Sequence, residues 1–231
     1  MSQQVDHAPD TQLVQPQIVA KHADFVAMYE DGLRRTGMTD NAWRRPRFFH
    51  LLQMLRLTRG LEGATCEAGV YRGLASYLMC REQCTEDPGF NGRGHFAIDS
   101  FEGLATPDET DGDPSCAGRF GDTSAALVRN TLEDFPGVRI IEGWIPEALG
   151  ALPEQEYRFV HVDVDLHAPT AACLEYFHPR MVQGGIIVVD DYGPWPTGEW
   201  AGCRIAVHEF SERHRVPFAA LDTGNVVIVK R

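Results

Sequence analysis

The chain has 231 residues, 43% of them hydrophobic, and a formal net charge of −12. Such a length and apolar content suit one large domain with a full core, and an acidic chain with no Lys/Arg-rich run excludes a nucleic-acid or membrane-surface partner. No apolar stretch approaches the roughly 20 residues of a membrane span, and the polar start lacks the apolar core of a signal peptide; a cytoplasmic location with reduced thiols is expected for the six cysteines.

Residues 1–16 read as a flexible tail. Residues 17–60 read as a helical segment outside the main sheet, a lid or an oligomer contact. Ile18, Phe25, Met28 and Leu33, then Phe48, Leu51, Leu52 and Leu55, recur at three- and four-residue spacing. Thr39-Asp40 is expected to cap the second helix. From 61 to 231 strands and helices alternate. Ala64–Ala68 reads as a strand, Leu74–Cys84 as a helix and His95–Asp99 as a strand. Residues 100–121, rich in Gly, Pro, Asp and Thr, form a loop long enough to imply function or mobility. Thr123–Asp134 then reads as a helix and Val138–Glu142 as a strand. Strands at 158–164 and 185–190 follow, with a helix near 169–179 between them, and Gly202–His214 is the last helix. Phe218–Leu221 and Val226–Lys230 close the chain as a strand pair about Gly224-Asn225. This order predicts an α/β fold, a doubly wound sheet of about seven strands with the last antiparallel. The cleft of such a sheet lies over the carboxyl ends of its strands.

Two acidic clusters end two of the apolar runs: Phe159-Val-His-Val-Asp163-Val-Asp165-Leu-His167 and Gly184-Gly185-Ile-Ile-Val-Val-Asp190-Asp191-Tyr192-Gly193. Asp163 and Asp165, two apart, share a face if the strand runs through them. Asp190 and Asp191 require the backbone to turn out of the strand, and Gly193 and Pro194 favour that. Four carboxylates at neighbouring strand ends repel unless a cation or protons intervene. Hard oxygen donors select Mg²⁺, Ca²⁺ or Mn²⁺.

The first βα turn, Glu67-Ala-Gly69-Val-Tyr71-Arg72-Gly73, is not a dinucleotide fingerprint, because its glycines are spaced differently. Its leading acid favours a cationic ligand such as a sulfonium over a pyrophosphate. Asp99, at the end of the second strand before Ser100-Phe101, suits the hydroxyls of a ribose, or it caps a turn. Trp144 faces a base or fills the core, with the core reading favoured. His161 reads as a satisfied core histidine. His167 remains open as ligand, base, substrate contact or plain loop residue. Trp195 and Trp200 could form an aromatic wall for a substrate.

Taken together these pieces resemble the macrocin-type (TylF-like) O-methyltransferases, which methylate sugar hydroxyls of natural products. The resemblance rests on Glu67–Gly73, Asp99-Ser-Phe-Glu-Gly103, Gly143-Trp144, Asp163-Val-Asp165-Leu166 and Gly184-Gly185 through Gly193, in that order over roughly residues 60 to 215. It implies a class I methyltransferase domain at 61–231, using S-adenosylmethionine and Mg²⁺. It also implies a cofactor site of Glu67, Gly69, Tyr71, Arg72, Gly73, Asp99, Ser100, Phe101, Trp144 and Asp163. The metal ligands would be Asp163, Asp190 and Asp191, with Asp165 as general base, and His167 joins it as a catalytic candidate. The family carries Tyr where this chain has His167, and its match is poorest before residue 60. A small hydroxylated acceptor, a sugar or glycoside first and a catechol or aryl hydroxyl second, and a homo-oligomer are expected. A metal-dependent hydrolase would need a nucleophile or a phosphate loop, neither of which is evident, and a non-catalytic binding protein is disfavoured by retention of all four acids.

Overall fold

The computed structural model describes residues 22–41, 43–112, 114–193 and 201–231. The expected tail, Ile18, Pro194, Trp195 and Trp200 lie outside the described residues. In chain order the elements are α1 (Ala23–Thr36), α2 (Arg44–Leu57), β1 (Ala64–Ala68), α3 (Leu74–Gln83), β2 (His95–Asp99), α4 (Ala125–Thr131), β3 (Arg139–Glu142), β4 (Tyr157–Val162), α5 (His167–Phe177), β5 (Met181–Val189), α6 (Ala201–His214), β6 (Ala219–Ala220) and β7 (Val226–Val229).

The seven strands form one sheet in the order β3-β2-β1-β4-β5-β7-β6. Strands β1 to β5 pair in parallel, and β7 is antiparallel to both β5 and β6. The chain winds outward from β1 to β3, then returns to β4 on the other side of β1. The β1/β4 boundary is therefore the switch point at which open α/β sheets receive ligands. The near-continuous apolar runs of β4 and β5 match this position, since central parallel strands are covered on both faces. Side chains alternate across the sheet as the pleat requires. Phe159 packs with α1, α2 and α3, whereas Val160 and Val162 pack with α5 and α6.

Two local expectations are corrected. Thr39-Asp40 does not cap α2; the Asn41 side chain accepts from the amides of Trp43 and Arg44 at 3.1 and 2.7 Å. Asp40 instead accepts from the Tyr29 hydroxyl at 2.8 Å and from Arg45. The helix expected over Thr123–Asp134 is shorter at both ends, because the Ser124 hydroxyl caps it by accepting from Leu127 N and it stops at Thr131.

Candidate active site

A cavity of about 520 Å³ opens over the carboxyl ends of β1 to β5. One half of its wall comes from the loops after β1, β2 and β3. Here Gly69 has φ +84°, and a Cβ on it would overlap the Asp163 carbonyl. Only glycine lets the β1 loop and the β4 loop approach so closely. Asp99 braces the same turn: one carboxylate oxygen accepts from Val70 N at 2.6 Å and Tyr71 N at 2.8 Å, and the other from Phe101 N at 2.7 Å. Three of its roughly four acceptor positions are thereby filled by backbone.

Of the residues expected to hold a cofactor, Glu67, Gly69, Tyr71, Asp99, Ser100, Trp144 and Asp163 line the cavity. Arg72, Gly73 and Phe101 stand behind it. Arg72 donates to Asp122 and to the Thr36 carbonyl, Gly73 packs on Val128 and Thr131, and Phe101 is buried in the core. Trp144 is not a core residue: it is 38% exposed on the cavity wall, because Gly143 turns the chain out of β3 at φ +153°.

The other half of the wall carries the carboxylates. Strand β4 ends at Val162, so the condition under which Asp163 and Asp165 would share a face by strand alternation, a strand running through both, is not met. Asp165 reaches the site by adopting a left-handed backbone, φ +61°, and Asp191 does the same at φ +59°. Aspartate tolerates this region better than bulkier residues do. Burial, then the neighbouring Asp190 and Asp191, push the Asp163 carboxyl well above the usual carboxylate range. Burial, with Asp191 and Asp163 alongside, does the same to Asp165. Burial also opposes ionisation of Asp190, but the Arg47 guanidinium and His161 beside it hold its carboxyl below the ordinary value.

Two groups of side chains bring ligand atoms within 4.8 Å of one another, His161-Asp163-Asp190 and Asp163-Asp165-Asp191. Asp163 belongs to both, and four of the five donor residues are carboxylates. This set fits a hard divalent cation, which would also reverse the upward push on the crowded acids.

His161 corrects another expectation. Neither ring nitrogen makes a hydrogen bond of ordinary geometry; the imidazole sits between Glu67 at 3.4 Å and Asp190 at 3.6 Å. Burial opposes its charge, but the carboxylates of Asp190 and Glu67 on either side raise its pKa to about 10. Glu67 also accepts from the Ser76 hydroxyl, Ser76 meets His95 Nε2 at 2.9 Å, and His95 Nδ1 meets Thr65 at 2.8 Å. A buried polar chain thus runs beneath the cavity from β2 to β5.

His167 turns away from the cavity. Its Nε2 lies 2.9 Å from Glu209 on α6, and its backbone N–H donates to Asp111 at 2.6 Å. Its catalytic assignment is not retained. Sequence reading missed three residues that matter here. Arg47 contacts the acids from α2. Asn225 donates to Asp190. Asp111 pins the long loop after β2 to the start of α5, in a slot that stays open because position 202 is glycine; a Cβ there would overlap the Asp111 carboxylate.

Residues 35–229 match the model of the family described as Macrocin-O-methyltransferase (TylF). The chain belongs to that family. The match begins earlier than the motifs that carried the resemblance and takes in the last two residues of α1 and all of α2. Among curated relatives, the chain is 29% identical over 182 residues to the 8-demethyl-8-(2,3-dimethoxy-alpha-L-rhamnosyl)-tetracenomycin-C 4'-O-methyltransferase of Streptomyces olivaceus, covering 74% of this chain and 67% of that one. It is 27% identical over 174 residues to the mycinamicin III 3''-O-methyltransferase of Micromonospora griseorubida, covering 69% and 65%. The crystal structure of CalS11, calicheamicin methyltransferase, superposes with a TM-score of 0.70 at 19% identity over 99% of each chain, which establishes a shared fold. Among the described residues no helix is long and apolar enough to cross a membrane.

Proposed function

We propose that this O-methyltransferase moves a methyl group from S-adenosylmethionine to a hydroxyl of a sugar on a natural product, with Mg²⁺ held by Asp163, Asp190 and Asp191. The observation that carries the reading is the meeting, in one cavity, of the Glu67–Asp99 turn with the four carboxylates. S-adenosylmethionine when bound supplies an electrophilic sulfonium methyl, and Mg²⁺ supplies a charge that acidifies a nearby hydroxyl.

The chain's own work is positioning and proton transfer. Glu67, buried beneath the cavity, places negative charge where a sulfonium is favoured. Asp99 keeps the β1 turn closed around the donor. Asp165 accepts the acceptor's proton as the oxygen–methyl bond forms and the sulfur–methyl bond breaks. Trp43 and Trp144, each 38% exposed on the cavity wall, offer flat faces to an acceptor ring. The sugar preference is supported by the rhamnosyl group in the name of the Streptomyces olivaceus relative.

The test is methyl transfer from labelled donor to a panel of deoxysugar glycosides, nucleotide sugars and catechols, with Mg²⁺ or with chelator, alongside calorimetric titration with S-adenosylhomocysteine. Micromolar binding and Mg²⁺-dependent labelling of a sugar are expected. Labelling of catechols alone would replace the acceptor class. Full labelling in chelator would remove the metal, and failure to bind S-adenosylhomocysteine would sink the reading.

A further inference from the structure

Arg47 stands where a cation belongs. It lies in the first turn of α2, and one nitrogen, Nη2, meets three carboxylates. It donates to Asp190 Oδ2, and lies 3.4 Å from Asp191 Oδ1 and 3.9 Å from Asp163 Oδ1. Those are the three acids assigned to the metal above. A divalent ion coordinated at about 2.0–2.6 Å by the same oxygens cannot share that space with a guanidinium. Arginine does not give up its proton at any working pH, so its charge can leave the site only if the side chain moves.

A second tie joins the same helix to the same acid. His50, one turn beyond Arg47, meets Thr223 Oγ1 at 3.1 Å. Thr223 donates to Asn225 Oδ1 at 2.8 Å, and Asn225 donates to Asp190. The start of α2 also supplies Trp43, Arg44 and Phe48 to the cavity wall.

We infer that Arg47 competes with the divalent cation for Asp163, Asp190 and Asp191, so that it sets the metal affinity of the enzyme and links metal loading to the α2 wall of the cavity. The inference rests on the metal reading of these carboxylates. In the metal-free protein Arg47 offsets the repulsion of the buried acids, which would be costly left unpaired. Loading requires the guanidinium to leave. The apparent metal affinity is therefore lowered by the fraction of molecules in which the acids are free.

The experiment is calorimetric titration of chelator-stripped protein with Mn²⁺, for the native chain, Arg47→Met and Arg47→Lys, with thermal melts in Mn²⁺ and in chelator. If nine molecules in ten hold Arg47 on the acids, Arg47→Met binds Mn²⁺ about tenfold more tightly. Its metal-free form melts lower than the native protein and gains more from Mn²⁺. Arg47→Lys, which keeps a charge but not the planar fork, stays nearer the native affinity. Should Arg47→Met not fold, Arg47→Gln carries the same expectation. Equal or weaker Mn²⁺ binding by a folded, uncharged variant overturns the competition and leaves the metal reading standing, provided the native chain binds. No Mn²⁺ binding by any of these proteins overturns both.

Discussion

On the β1 to β3 side of the cleft, polar groups are partnered within the fold before any ligand arrives, Glu67 by the Ser76 hydroxyl and Asp99 by backbone. Asp99 holds three amides, and Gly69 lets two loops touch. On the β4 to β5 side, carboxylates crowd one another, two of them on left-handed backbone, and what offsets their charge is a pair of cationic side chains: Arg47, reaching in from α2, and His161 of β4 beneath. The first half is set by local turn chemistry and suits a donor that is held the same way each time. The second stores repulsion that a cation relieves, and suits chemistry that is switched on when the site is loaded.

The largest effect that would sharpen this contrast is expected at Asp165. Asp165→Asn keeps the shape and removes the base, so kcat should fall by about 10²–10⁴, with S-adenosylhomocysteine affinity on the other half unchanged. Steady-state kinetics and calorimetry read both. An unchanged kcat would remove Asp165 as the proton acceptor. A loss of S-adenosylhomocysteine binding would show that the two halves are not independent.

The contrast also explains what the sequence made legible. The succession of strands and helices and the antiparallel end followed from apolar runs and their spacing, which report burial directly, whereas the strand order and the switch point came only with the structure. The acid clusters were legible because a carboxylate closing an apolar run has few other uses. Arg47 was not legible: it meets Asp190 across 143 residues of sequence, and an arginine in a helical segment looks like any solvated charge. His167 was misread because adjacency to Asp165 does not fix where a ring points once the backbone turns at φ +61°. For Trp144 the core preference fails and the cavity reading stands, because the turn at Gly143, not hydrophobicity, decides its exposure.

A second prediction concerns the buried chain that joins the halves. Burial, then the nearby His161, depresses the His95 pKa from 6.5 to about 3. The unfolded chain therefore binds more protons than the folded one between those values, and stability rises with pH across that window. The contribution is present in full above pH 6.5 and is lost as pH falls toward 3, with a ceiling of roughly 4–5 kcal/mol for the whole shift. His161 has the opposite sign: its pKa is raised to about 10, so its contribution is complete below 6.5 and is lost as pH rises from 6.5 to about 10. Urea unfolding from pH 4 to 7 should thus show a slope that His95→Gln flattens. A slope unchanged in that variant would mean that His95 is not the group that gathers the proton.

The smallest effect tests whether the loop after β2 transmits between the halves. Asp111 is buried in that loop, and its carboxylate accepts from His167 N at 2.6 Å and from Asp108 N at 3.1 Å. It caps the first turn of α5 two residues beyond Asp165, the residue whose backbone is strained. Asp111→Ala should cost about 1–2 kcal/mol of stability, as lost helix caps do, while Asp111→Asn, which keeps an oxygen acceptor, should cost a few tenths. If the cap also holds Asp165 in place, Asp111→Ala lowers kcat severalfold without changing S-adenosylhomocysteine affinity, and Asp111→Asn restores it. If both variants keep native kcat while Asp111→Ala loses stability, the loop serves only as a clamp on α5. The left-handed turn at Asp165 would then be held by β4 and the neighbouring acids alone, and the carboxylate half would be self-contained.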